Sequence, residues 1–253
     1  MDKQYILEQL EKYCTFATDL CSNNFYEDIV SPLEDAGCFN NWTYDSGATK
    51  GVLIFGDENF VVKIPFCGYI DEDAGHWEDS CGNYRHSAET GASTKIENNE
   101  WFWNYDWAFF DFEGASAQKT NWDYCAAEAE FYDMARDNQI AFAFAKTEFL
   151  GFCGDHPIYI QEKCSMFYED SSSRDYDKRT EKDYETVTSL EKALDFFEFD
   201  ADWTLDFLIY WGEECFKQLV KFIKDMEIRD LHNGNIGYRN GAPVVVDYSS
   251  FDR

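Results

Sequence analysis

Apolar and polar positions alternate along the chain with two periods. Residues 2–21 place Ile6, Leu10, Tyr13 and Leu20 in a stripe at helical spacing, predicting a first helix. From residue 40 the period shortens. Val52-Leu53-Ile54-Phe55, a Gly56-Asp57-Glu58-Asn59 turn and Phe60-Val61-Val62-Lys63-Ile64 read as strand, turn and strand. Lys63 lies mid-strand between apolar neighbours, so its ammonium is expected to face a cleft. Tyr124 to Ala135 is rich in helix formers, with Ala127, Phe131 and Met134 at helical spacing. Ile158 to Cys164 reads as another strand, and 170–185 as a solvated loop. Asp202 to Lys224 is one long helix or two broken near Gly212, burying Leu205, Leu208, Ile209, Phe216, Leu219, Val220 and Ile223. Val244-Val245-Val246 is a short β stretch near the end. Strands and helices in this mixture predict an α+β chain.

Composition narrows the class. With 253 residues, 45% hydrophobic and 19% aromatic, the chain can bury a sizeable core as one bilobal domain or two small ones. It has no basic, apolar leader and no run of 18 apolar residues, so neither secretion nor membrane spanning is expected. Nine cysteines without a regular framework fit reduced thiols in the cytoplasm. Fifty acids against 21 bases give a formal charge of −29, which repels nucleic-acid phosphates before contact. The same excess suits solubility, or a basic macromolecular partner.

Chemistry concentrates near the C-terminus. Ile228-Arg229-Asp230-Leu231-His232-Asn233-Gly234-Asn235 precedes the β stretch and Asp247-Tyr248-Ser249. The first carboxylate, Asp230, can orient a hydroxyl and accept its proton. The Asn235 amide and the Asp247 carboxylate are hard oxygen ligands suited to Mg2+ on a nucleotide's phosphates. His232 is expected to hold the loop by a hydrogen bond, and Arg229 to serve as an ion-pair partner.

This constellation resembles the catalytic loop and metal motif of the protein-kinase-like superfamily. Ile228 stands where protein kinases have His, and Tyr248-Ser249 where they have Phe-Gly. Asp230-Leu231-His232-x-Gly234-Asn235 is closer to the Asp-x-His-x-x-Asn loop of aminoglycoside phosphotransferases and other atypical kinases. Upstream, the order is maintained. The resemblance makes Ser46, Gly47, Ala48, Thr49, Lys50 and Gly51 the hairpin over the phosphates of ATP, Lys63 the third-strand lysine that binds them, and Glu128 its helical partner. Glu130 is expected to be solvated. Backbone around Glu162 to Cys164 would be the hinge that binds adenine, with Gln161 as gatekeeper.

The implied architecture is a bilobal kinase-like fold: an N-terminal helical extension (1–39), a small β-rich N-lobe (40–164) with an insertion (67–123), and a reduced, mainly helical C-lobe (165–253). Only six residues follow Asp247, so no activation segment and no later C-lobe helices are expected, as in compact kinase-like proteins of bacteria and phages. The implied activity is Mg-ATP-dependent phosphotransfer, first to Ser/Thr of a protein partner. A small hydroxylated acceptor is the second reading. A kinase-shaped binding or inhibitor protein is the third, acting through the insertion.

That insertion holds eleven acids between Asp71 and Glu113 against Arg85 and Lys95, with the aromatic run Trp101 to Phe110. It is read as a subdomain packed on the N-lobe or as a partner surface. Cys67, His76, Cys81 and His86 offer zinc-type ligands, but their intervals do not make a knuckle.

Overall fold

The computed structural model describes residues 1–16, 20, 23–47, 49–66, 69–71, 76–78, 84–86, 124–154, 156–166, 180–193, 202–226, 228 and 231–248. These form an α+β protein with antiparallel sheets and six α-helices among the described residues. The chain divides into two compact units. One comprises residues 1–130 and 147–162 with the last two residues, and the other comprises 131–146 and 163–251.

The first unit is built on a five-stranded antiparallel sheet of β1 (Trp42–Ser46), β2 (Lys50–Phe55), β3 (Phe60–Pro65), β7 (Thr147–Cys153) and β8 (His156–Glu162), in the order β1-β2-β3-β8-β7. Three short strands, β4 (Tyr69–Asp71), β5 (His76–Glu78) and β6 (Tyr84–His86), pair in a second sheet. Side chains alternate between faces along a strand. Leu53, Phe55, Val62, Ile64 and Ile158 therefore share one face of the main sheet. That face is closed by α1 (Lys3–Tyr13), a π turn (Tyr26–Val30) and α2 (Ser31–Ala36), through Ile6, Leu10, Phe25, Ile29, Val30 and Leu33. The described residues among 1–39 thus share one core with the sheet.

Helix α1 ends earlier than the apolar stripe suggested. Its Asp2 carboxylate caps the Gln4 N–H, and Cys14 is already extended. Leu20 is buried in the same core but lies outside the helix. A repeating apolar pattern reports burial, not continuity of the backbone.

Gly51 is small for packing reasons. A Cβ there would lie 2.2 Å from Phe25 Cζ, a clash with the edge of the ring. Gly51→Ala is expected to lower stability by about 1–3 kcal/mol through overpacking, read as a fall in the urea midpoint at unchanged slope.

His156 is buried at the start of β8, its Nε2 2.8 Å from the Pro65 carbonyl and its ring stacked on Phe16 at 5.0 Å. Burial pushes its pKa down from 6.5 to about 4. The unfolded chain takes up this proton below about pH 6.5 while the folded chain refuses it until about pH 4. Stability is therefore unaffected above pH 6.5 and falls by about 3 kcal/mol on acidification through that window. Denaturant melts at pH 7 and pH 4.5 should show a steeper acid loss for the native protein than for His156→Gln. Parallel losses would remove His156 from the account.

In the second unit, β9 (Ser165–Met166), β10 (Ile236–Arg239) and β11 (Ala242–Val245) form a three-stranded sheet in the order β11-β10-β9. Asn240 and Gly241 make the two-residue turn between β10 and β11, with φ of 53° and 83°. Both positive values match the strand twist, which is why an Asn-Gly pair sits there. Helices α4 (Glu181–Ala193), α5 (Asp202–Trp211) and α6 (Glu213–Asp225) complete the unit. Gly212, at φ 83°, separates α5 from α6. Leu205, Leu208, Phe216, Leu219, Val220 and Ile223 are buried as expected, but Ile209 is 46% exposed. Of the two forms expected, the chain takes the pair of helices broken at Gly212, and Ile209 is an exposed apolar residue inside α5.

Candidate functional site

Helix α3 (Tyr124–Asp137) crosses from the first unit to the second, and its first half lies on the face of the main sheet opposite the apolar core. Cys125, Ala126 and Ala129 pack on Tyr159 of β8, and their small side chains bring the helix close to the strands. Glu128 is three residues beyond Cys125 and so shares its side of the helix. It is fully buried against the sheet.

The sheet register determines what Glu128 meets. Lys63 pairs with Val52 on one side and Tyr159 on the other, so these residues share a face. Lys50, two residues before Val52, is on that face too, as are Gln161 and its partner Thr147. Lys63 Nζ lies 2.6 Å from Glu128 Oε2, and Lys50 Nζ lies 2.6 Å from Glu128 Oε1. Gln161 Nε2 donates to Thr147 Oγ1 at 2.8 Å and to Glu128 Oε2 at 3.3 Å. Thr147 Oγ1 donates to the same carboxylate oxygen at 3.5 Å. Lys50, Lys63, Glu128, Thr147 and Gln161 are all buried. Taking charges out of water is costly, and short, multiple, charge-assisted contacts offset that cost.

Lys63 and Glu128 are thus brought together as expected, and Glu130 is exposed. Three partners were not anticipated. Lys50 was read as part of the phosphate hairpin and Gln161 as gatekeeper, and Thr147 was not singled out. Strand parity would have found Lys50, since it stands at an even offset from the residue opposite Lys63. Thr147 is 19 residues from Glu128 and has no local signal.

The hairpin around residues 46–51 is a tight turn. Gly47 N–H donates to the Lys50 carbonyl at 3.0 Å, and Ser46 pairs with Gly51. Ser46 and Gly47 are exposed and Thr49 is half-buried, whereas Ala48 lies outside the described residues. At the other end of the unit, β8 finishes at Glu162, and the chain enters the second unit at Lys163. Cys164 is half-buried beside Ala145, Val244 and Val246.

Within the second unit, the hairpin of β10 and β11 brings Asn235 and Asp247 to one end. The Asn235 carbonyl accepts from Val246 N–H at 2.8 Å and from Asp247 N–H at 3.5 Å. Asn235 is buried and Asp247 half-buried. His232 Nδ1 accepts the Gly234 N–H at 2.9 Å, capping the 3₁₀ turn Asn233–Asn235. This is the loop-holding contact expected of it. Tyr248 is buried, its hydroxyl donating to the Ala145 carbonyl at 2.6 Å and its ring edge-on to Phe144. It anchors the residue after Asp247. Arg229 and Asp230 lie outside the described residues, as do Cys67, Cys81 and the run Trp101 to Phe110.

An amide oxygen and a carboxylate are the donor chemistry Mg2+ accepts, and this ion commonly takes only one or two carboxylates while keeping several waters. The pair Asn235 and Asp247 fits it. Among the described residues no group of three or more His, Cys, Asp or Glu side chains is placed to hold a metal ion. The six described cysteines are free thiols. No helix among the described residues is long and apolar enough to cross a membrane. Comparison with protein-family models, curated proteins and solved structures found no match.

Proposed function

We propose that this chain is a compact protein-kinase-like phosphotransferase of the cytoplasm that uses Mg-ATP, with Ser/Thr of a protein as its acceptor. The observation that carries the reading is the buried Lys63–Glu128 pair at 2.6 Å. The lysine is on the third strand of the main sheet and the glutamate on the helix that precedes the fourth, in the order the resemblance requires. Such a pair fixes an ammonium where a phosphate oxygen can meet it.

The residues then divide the work. Lys63 holds nucleotide phosphates, and Glu128 with Gln161 and Thr147 orients Lys63. Asp230 orients the acceptor hydroxyl and takes its proton. Asn235 and Asp247 are the magnesium ligands, their spacing maintained by the Asn235 carbonyl and by the Gly234–His232 contact. When bound, the metal supplies neutralisation of phosphate charge. Segment 162–164 begins at the last residue of the strand that carries Gln161 and supplies backbone groups for adenine.

A test is transfer from γ-labelled ATP by purified protein added to a lysate. Label in protein, dependent on magnesium and abolished by Asp230→Asn, is the expected result. Label in a small-molecule pool would change the acceptor. Transfer that is equal with Asp230→Asn would remove the kinase reading.

A further inference from the structure

We propose that the outer edge of β1, with the exposed rings of Tyr26 and Tyr44 beside it, is a docking site for an extended, Lys/Arg-rich segment of a partner protein. The inference goes beyond the phosphotransfer reading and does not depend on it. Among the described residues β1 pairs with β2 alone, so it is an edge strand of the main sheet. In an antiparallel pair, residues bonded to the neighbouring strand alternate with residues whose N–H and C=O point away. Gly47 N–H donates to the Lys50 carbonyl and Gly56 N–H to the Asn41 carbonyl, so the odd positions of β1 face β2. Trp42, Tyr44 and Ser46 therefore present their backbone groups outwards. The Ser46 N–H is taken by the Asp45 carboxylate at 2.8 Å, which leaves Trp42 and Tyr44 as the open rungs. Protected edges carry lysine, proline or a bulge, and β1 has none of these along its pairing with β2.

The side chains beside this edge suit a cation. The Tyr44 ring lies 6.3 Å from the buried Phe25 and 5.8 Å from Tyr26, at 45° to it. Both tyrosines are exposed, Tyr26 at 45% and Tyr44 at 39%. The Tyr26 hydroxyl donates to Glu34 Oε2 at 3.1 Å, which fixes the ring. That hydrogen bond, with the charge of Asp35 in addition, raises the Tyr26 pKa and keeps the phenol neutral. Aromatic faces next to carboxylates attract ammonium and guanidinium groups.

Charge selects the occupant. Residues 13–49 contain no Lys, Arg or His. Of the flanking lysines, Lys12 lies over the Tyr13 ring and Lys50 is buried on Glu128. Glu34, Asp35 and Asp45 are exposed and form no ion pair among the described residues, whereas surface acids elsewhere are matched, as in Lys3–Glu148, Lys217–Glu213 and Lys221–Asp225. A second copy is the rival occupant. It would bring two such acidic edges together in chains of formal charge −29, and like charges facing each other across strands are destabilising. A basic strand meets no such repulsion, and its alternating side chains place every second Lys or Arg beside Tyr44 and Tyr26.

The test uses the purified full chain without nucleotide and a short fluorescent peptide alternating arginine with threonine. Saturable binding is expected, weakened about tenfold or more by Tyr26→Ala combined with Tyr44→Ala. The same peptide N-methylated at alternate residues retains its charge but cannot complete the ladder, so it should lose affinity on the parent chain as well. Equal binding of the two peptides would reduce the effect to unspecific attraction of opposite charges and overturn the docking site. Binding undisturbed by the tyrosine changes, or no binding at all, would overturn it too. Sedimentation of the chain alone addresses the second copy. A monomer is expected, and a dimer dispersed by the two tyrosine changes would assign this edge to self-association and overturn the proposal. No nucleotide is present, so each of these failures leaves the phosphotransfer reading standing.

Discussion

Glu128→Ala is expected to be the most damaging single substitution in the first unit, lowering its stability by about 3–5 kcal/mol. The reason is an asymmetry of burial. Lys50, Lys63 and Glu128 are all buried, and both ammoniums lie 2.6 Å from the same carboxylate. Removing the carboxylate leaves two cations in a site of low polarity without the group that binds them both. It also takes an acceptor from Gln161 and Thr147. Glu128→Gln keeps the shape and one oxygen acceptor, so its loss should be smaller, while the geometry of Lys63 and hence nucleotide binding still suffer. Chemical denaturation of both variants, each with and without Lys50→Met, separates the terms. If the charge argument holds, removing Lys50 recovers part of the stability lost in Glu128→Ala. A Glu128→Ala protein as stable as the parent would mean that water reaches these lysines and that the cluster is weakly coupled.

The same cluster shows what a sequence can and cannot reveal. Lys63 and Glu128 could be picked out because each sits inside a strongly patterned element, a β strand and an alanine-rich helix. Lys50 was visible as a residue of a hairpin, but its direction depended on a register that joins β2 to β3. Thr147 depended on β7 lying beside β8. Contacts between strands distant in the chain leave no local trace. The β10–β11 hairpin was the converse case. Asn240-Gly241 specifies its turn, and the turn specifies that Asn235 and Asp247 meet at its far end. Helical periodicity proved weakest at breaks. The stripe through Leu20 crossed the end of α1. There the apolar residues were real, but the continuous helix joining them was not. Gly51 adds a further lesson. A glycine in a phosphate-type hairpin invited a functional explanation, yet the ring of Phe25 lies where its side chain would be.

Asp247→Asn is expected to lower turnover on the order of 100-fold, because it removes charge at a metal ligand without removing volume. Asp247 is positioned through its own N–H and that of Val246, both directed at the Asn235 carbonyl, and by Tyr248, whose hydroxyl reaches the Ala145 carbonyl. The variant should require more magnesium for nucleotide binding, since a neutral oxygen is a weaker ligand for a hard divalent cation than a carboxylate. Magnesium titrations of nucleotide affinity read this directly, and Asn235→Ala should shift them in the same direction. Nucleotide affinity that is indifferent to magnesium in both parent and variant would take Asp247 and Asn235 out of metal binding. The hairpin they terminate would then be a structural element of the second unit, and the phosphotransferase reading would lose its metal half.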